Sequence, residues 1–352
     1  MIFLAVSFAS AFFGINTIRS FWSTYERMGG VIGLIHLTIF FLVLVSTFRT
    51  FPEWKRFWTV SLGVAFLIAL LFFLDRFGIA IFPVETYGGS TLGNSSFMGA
   101  YFLFHIFMGL WLLGASSFIE VRIFYGMFVA FLTAALWYAQ ALGAFFSISV
   151  GLFLIGVITL FFGGGFKRRG AAIALFFFAC IVGAVIFFGT ITQNETVVSR
   201  LPNFFSSGSM KSRILVWDIA RKGFFEKPLF GWGPENFHAV FGKYFHPCFP
   251  LPRECGGELW FDRTHNIVFD QFVQGGIVGA AAYLAIFIAA AVSIVRRWAF
   301  SKNFVLWGVL STALLGSYFI QNFFVFDKPS VSMIFFAFLA FIGARGIKNA
   351  NE

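Results

Sequence analysis

His265 and Asn266 stand together in FDRTHNIVFDQFVQGGIVG, which begins at Phe261, with Asp262 and Arg263 just before them and an apolar run just after. Histidine titrates near neutrality, so its ring can take a proton from an attacking hydroxyl. Arginine presents a planar fork that fits phosphate oxygens and balances charge as it develops on a departing phosphate. A second basic group, Lys211, Arg213, Arg221 and Lys222, lies in SMKSRILVWDIARKGFFEKP, and Arg200 precedes it. Imidazole and guanidinium in so apolar a chain fit transfer chemistry on a lipid-borne diphosphate. The same patch also describes passive binding of anionic head groups.

The elements that position these residues follow from composition. Of 352 residues, 59% are hydrophobic and 11% charged, where a soluble domain carries roughly 25% charged residues. Such a chain cannot cover a water-facing surface, so an all-α polytopic membrane protein in contact with the lipid bilayer is expected. The net charge is +10, but the charges fall mostly in short connections and no basic run reaches the length of a nucleic-acid tail. No nucleic-acid partner is expected. Cys180 lies in an apolar run, whereas Cys248 and Cys255 share one hydrophilic loop, where a disulfide or two thiols remain open. No CxxC or His/Cys cluster implies a metal, and no cofactor is expected. The first twenty residues lack a basic stretch before their apolar run and read as a spanning helix.

A spanning helix takes about 20 apolar residues. Runs of that kind occupy 2–18, 31–48, 57–74, 97–116, 121–138, 142–163, 170–190, 268–294, 303–324 and 330–346. The basic connections FRTFPEWKRF, GFKRRG and VRRWAFSK fall on alternate turns, which places them on the cytoplasmic side of the inner (plasma) membrane. The chain then divides into N-terminal spans over 1–190, a large extracytoplasmic loop over 191–267 and C-terminal spans over 268–352. A loop of that length is too long for a connector and is expected to be functional and partly folded. Within it, 209–228 reads as an amphipathic helix with Ile214, Leu215, Trp217, Ile219 and Ala220 on the apolar face. Both ends of the loop return to one bilayer face, so Arg213 and His265 can converge there.

Several stretches, in order, resemble the O-antigen ligase and O-antigen polymerase superfamily. They are SFWSTYERMGGVI (20–32), GSTLGNSSFMGAYF (89–102), SRILVWDIARKGFFEKPLFGWGPENF (212–237), THNIVFDQFVQGGIVG (264–279) and NFFVFDKPSVSMIFF (322–336). The resemblance implies a membrane glycosyltransferase that uses an undecaprenyl (polyprenyl) diphosphate-linked glycan donor at the periplasmic face. It implies metal-independent transfer to an acceptor hydroxyl. That acceptor is lipid A-core in ligases, another glycan in polymerases and a protein side chain in protein O-oligosaccharyltransferases. The family's essential histidine falls on His265 and its loop arginine on Arg213. A further family arginine has Leu142 at its place in AQALGAFF; Arg200, Lys211 or Arg221 would then have to supply that charge.

Plainer readings stand beside these. His265 at a membrane edge also serves as a helix-end residue, and Arg213 as a snorkelling cation. Asn266 either orients His265 or caps the helix from Ile267. Asn94 either caps a helix or lines the sugar path, and Gln274 is a supporting residue. Trp217 and Trp232 read as interface anchors. A lipid-linked oligosaccharide flippase is the non-enzymatic alternative. It would need a cationic cavity at mid-membrane depth, and the apolar runs hold almost no charged residues.

Overall fold

The computed structural model describes residues 1–79, 88–162, 208–251, 257–298 and 304–344, with Cys255 and short pieces between 169 and 179. The described chain is helical, and its one β feature is an isolated bridge between Gly88 and Asn94. In order the helices are α1 (Ile2–Phe13), α2 (Thr17–Trp22), α3 (Val31–Thr47), α4 (Phe51–Arg76), α5 (Ser95–Gly114) and α6 (Ile119–Tyr138). They continue with α7 (Leu142–Phe162), α8 (Gly208–Glu226), α9 (Phe237–Lys243), α10 (Ile267–Trp298), α11 (Phe304–Gln321) and α12 (Pro329–Gly343).

Among the described residues α4, α5, α6, α7 and α10 are long and apolar enough to cross a membrane, and α1, α3 and α12 are shorter apolar helices. Several such segments in one chain make a multi-pass membrane protein. The run at 170–190 lies mostly outside the described residues. The first run, expected to be continuous over 2–18, is broken at Gly14, where the backbone is extended. A Cβ there would meet the Trp232 carbonyl at 2.7 Å and Gly233 Cα at 2.9 Å, so a glycine is needed for this approach.

The chain forms two compact units. The first lies within Met1–Thr38, Ile181–Ile288 and Asn322–Pro329. Its core gathers Val216, Ile219 and Ala220 of α8, Trp232, Phe237, Val240 and Phe241 around α9, and Phe249, Phe261 and Val273. The buried residues of α8 recur at helical spacing. Ile214, expected on the apolar face, is 50% exposed, and Val216 takes the inward position. Cys248 and Cys255 are joined by a disulfide with their Cα atoms 5.7 Å apart, which closes the loop beside this core.

The second unit lies within Ile39–Cys180, Ala289–Gln321 and Ser330–Glu352. α5 runs through it almost wholly buried, with α4, α6, α7 and α11 packed around it. Its buried His105 bonds the Tyr101 carbonyl at 2.8 Å and Ser61 Oγ at 2.9 Å, so both ring nitrogens are satisfied inside the bundle. Asn94 starts α5 by accepting the Ser96 amide at 2.8 Å, as an N-cap does.

Candidate active site

His265 sits where irregular chain becomes α10, and its neighbours are tied on both sides. The Thr264 amide donates to Asp270 Oδ1 at 2.9 Å, its hydroxyl donates to the Asn266 carbonyl at 2.6 Å, and its carbonyl accepts the Trp217 indole N–H at 3.0 Å. Asn266 Oδ1 accepts the amides of Val268 at 3.0 Å and Phe269 at 3.3 Å, which makes it the N-cap of α10. The Ile267 amide donates to the Asn322 carbonyl at 2.8 Å. Between these fixed points His265 adopts φ 55°. A non-glycine residue in that region costs about 1–3 kcal/mol and persists where its surroundings over-determine it. Here the surrounding hydrogen bonds supply that constraint on the backbone.

The ring lies edge-on to Phe261 at 5.5 Å and to Phe326 at 5.2 Å. Its Nδ1 is buried and makes no hydrogen bond of normal geometry. Burial, and after it the charge of Arg213, pulls the imidazole pKa down to about 4, with Arg27 acting in the same direction and Asp262 and the Arg263 backbone opposing. At neutral pH the ring is therefore uncharged and able to accept a proton.

Arg213 comes from the first turns of α8 and donates to the Phe324 carbonyl at 3.3 Å. Its guanidinium is lowered in pKa by burial, against which the carboxylate of Glu258 acts. The two residues expected to converge from opposite ends of the loop thus lie within electrostatic reach of each other in one compact unit. No direct hydrogen bond joins them.

Two residues before His265 in the chain, Arg263 forms a buried ion pair with Glu235. Burial opposes the charge on Arg263, but Glu235, Asp270, Asp262 and Asp327 together raise its pKa. The Glu235 amide donates to Gln274 Oε1 at 3.1 Å, so Gln274 acts on the loop that carries Glu235. This contact depends on a break in α10 at Gly276, with φ 64° and ψ −162°. The backbone groups freed there are satisfied by the segment around Gly231. The amides of Trp232 and Gly233 donate to the carbonyls of Val273 and Gln274 at 2.8 and 2.9 Å, and the Ile277 amide donates to the Pro228 carbonyl at 2.7 Å. The turn carrying Gly231 and Gly233 thus lies on this break.

Other candidates fall elsewhere. Arg221 is 58% exposed at its side chain and pairs with Asp218 at 2.7 Å, an acid it shares with Lys222. It follows Arg213 by eight residues, about 12 Å along the helix axis. Lys211 is exposed at the start of α8. Asn94 belongs to the second unit, and Arg200 lies outside the described residues. Arg27, not singled out by sequence, does reach the site. Its guanidinium makes a two-bond contact with Asp262 and lies 4.7 Å above the Phe326 ring. The sequence signal for it is an arginine between two apolar runs in SFWSTYERMGGVI. Among the described residues no three His, Cys, Asp or Glu side chains form a metal-binding group.

With this geometry in place, the comparisons fall on the same segments. The O-antigen ligase family model matches residues 107–284, from within α5 through α8 and the His265 segment into α10. No curated protein matches the sequence.

Proposed function

We propose, for a chain that belongs to the O-antigen ligase family, that it moves a glycan from undecaprenyl diphosphate to an acceptor hydroxyl, with His265 as the base. Family membership makes it a membrane glycan transferase of the ligase or polymerase type. The observation that carries the finer reading is an imidazole on a strained backbone position at the start of α10, with the charge of Arg213 acting on it. In the proposed step the acceptor hydroxyl gives its proton to His265 while its oxygen bonds to the anomeric carbon of the donor sugar. The bond from that carbon to the diphosphate oxygen breaks, and the diphosphate leaves with the electron pair. Arg213 balances the charge that develops on it. The proton on His265 then passes to solvent or to the departing phosphate.

The Cys248–Cys255 disulfide supports placing this face in an oxidising compartment, the periplasm or exterior. Ligase, polymerase and protein-transferase readings share the donor half of this chemistry and differ in acceptor. The test is to supply the purified protein in lipid nanodiscs with an undecaprenyl-diphosphate oligosaccharide. Lipid A-core, free glycan and a serine-containing peptide are offered separately as acceptors. Release of undecaprenyl diphosphate with a matching glycosylated acceptor is the expected result. Movement of the donor across vesicles with no product on any acceptor would replace the transferase reading with the flippase one.

A further inference from the structure

Arg27 has been given no role in the transfer step. It stands on the loop between α2 and α3, and that loop packs on the Arg263–Glu235 pair. A Cβ at Gly29 would run into Glu235 Oε1 and Arg263 Nη2, so the loop lies directly on the buried pair. The Gly29 amide donates to Ser23 Oγ at 3.0 Å, which helps close the turn. From this support Arg27 Nε reaches Asp262 Oδ2 at 2.5 Å and Nη2 reaches Oδ1 at 2.9 Å. The guanidinium stacks 4.7 Å above Phe326, whose ring meets His265 at 5.2 Å.

Two features favour a ligand role over a staple. The side chains of Arg27 and Asp262 are 23% and 19% exposed, so the fork is open to solvent. The fork geometry that holds two carboxylate oxygens also holds two phosphate oxygens.

We propose that Arg27 is a second guanidinium for the donor's diphosphate and that Asp262 is the internal competitor for its fork. This rests on the proposed diphosphate donor. Arg213 then holds the diphosphate from α8 and Arg27 from the α2–α3 loop. Asp262 keeps the Arg27 fork oriented and gives way to phosphate oxygens.

The test measures binding of undecaprenyl diphosphate and undecaprenyl monophosphate to the full chain in nanodiscs. It compares wild type, Arg27→Ala, Asp262→Asn and the double variant. Losing a charge-assisted contact should weaken diphosphate binding about tenfold or more in Arg27→Ala, with a smaller loss for monophosphate. Asp262→Asn should move the other way and tighten diphosphate binding. That gain should vanish when Arg27 is also alanine. A gain that persists without Arg27 acts through space and overturns the competitor role. Weakening in both single variants marks a structural pair and overturns the proposal. Wild-type binding of diphosphate with Arg27→Ala unchanged removes Arg27 alone. If wild type fails to prefer diphosphate over monophosphate, the donor reading itself falls, and Arg27's role with it.

Discussion

Trp217 donates its indole N–H to the Thr264 carbonyl at 3.0 Å, so α8 holds the residue immediately before His265. The same indole stacks on Phe269 at 5.6 Å and 14°, one turn into α10. Arg213 is four residues earlier on α8. One helix therefore carries the cation and also ties down the backbone that bears the imidazole.

Replacing Trp217 with phenylalanine keeps an aromatic ring against Phe269 and removes the N–H. The buried Thr264 carbonyl loses its donor, a cost of about 1–3 kcal/mol. Turnover should fall about tenfold through misplacement of His265, with donor KM nearly unchanged. Steady-state kinetics on the purified variant separate the two. A rise in donor KM at constant kcat would mean that Trp217 acts on the donor instead.

Acid dependence follows from the depressed imidazole. The folded value of about 4 lies below the ordinary histidine value of about 6.5, so folding favours the neutral ring. Its contribution to stability is complete above about 6.5 and is lost as pH falls from there toward the folded value. The acid limb of kcat/KM should sit correspondingly low. Because Arg213 is one cause of the depression, Arg213→Gln should raise the imidazole pKa and move that limb to higher pH. Rate profiles of the two proteins check the sign, and an unmoved limb would separate Arg213 from His265.

The buried Arg263–Glu235 pair is expected to be intolerant of half-measures. Glu235→Gln leaves Arg263 buried without its main partner, which costs about 3–5 kcal/mol in comparable pairs. Replacing both residues, with Arg263→Met added, should recover much of the lost stability. Thermal unfolding in detergent reads both. Equal melting temperatures for wild type and Glu235→Gln would show that the pair contributes nothing.

Gly276 lies in a backbone region that only glycine adopts readily, and a Cβ there would strike the Leu229 carbonyl. Gly276→Ala should cost about 1–3 kcal/mol from the backbone alone, and it should disturb Gln274 and, through it, Glu235. The variant is expected to melt earlier and to lose turnover. Unchanged melting and turnover would show that the break is dispensable.

These relationships divide by how far along the chain their causes lie. The spanning helices could be read from sequence because a membrane crossing needs about 20 apolar residues in a row, and the runs that gave α4, α5, α6, α7 and α10 meet that locally. His265 and Arg213 were legible as residue types beside apolar segments. The breaks were not. Gly14 and Gly276 interrupt helices because the chain around residues 228–233 packs against them, and no local pattern announces that contact. Arg27 was hidden for the same reason, since its carboxylate partner is 235 residues away.

The most direct measurement is release of undecaprenyl diphosphate from a lipid-linked oligosaccharide by purified wild type and His265→Ala, with donor binding and melting temperature recorded on the same samples. A positioned proton acceptor contributes about 10²–10⁴-fold to such a step. The account requires a loss of at least the lower figure in a variant that still folds and still binds donor. Release by folded His265→Ala at the wild-type rate would contradict it.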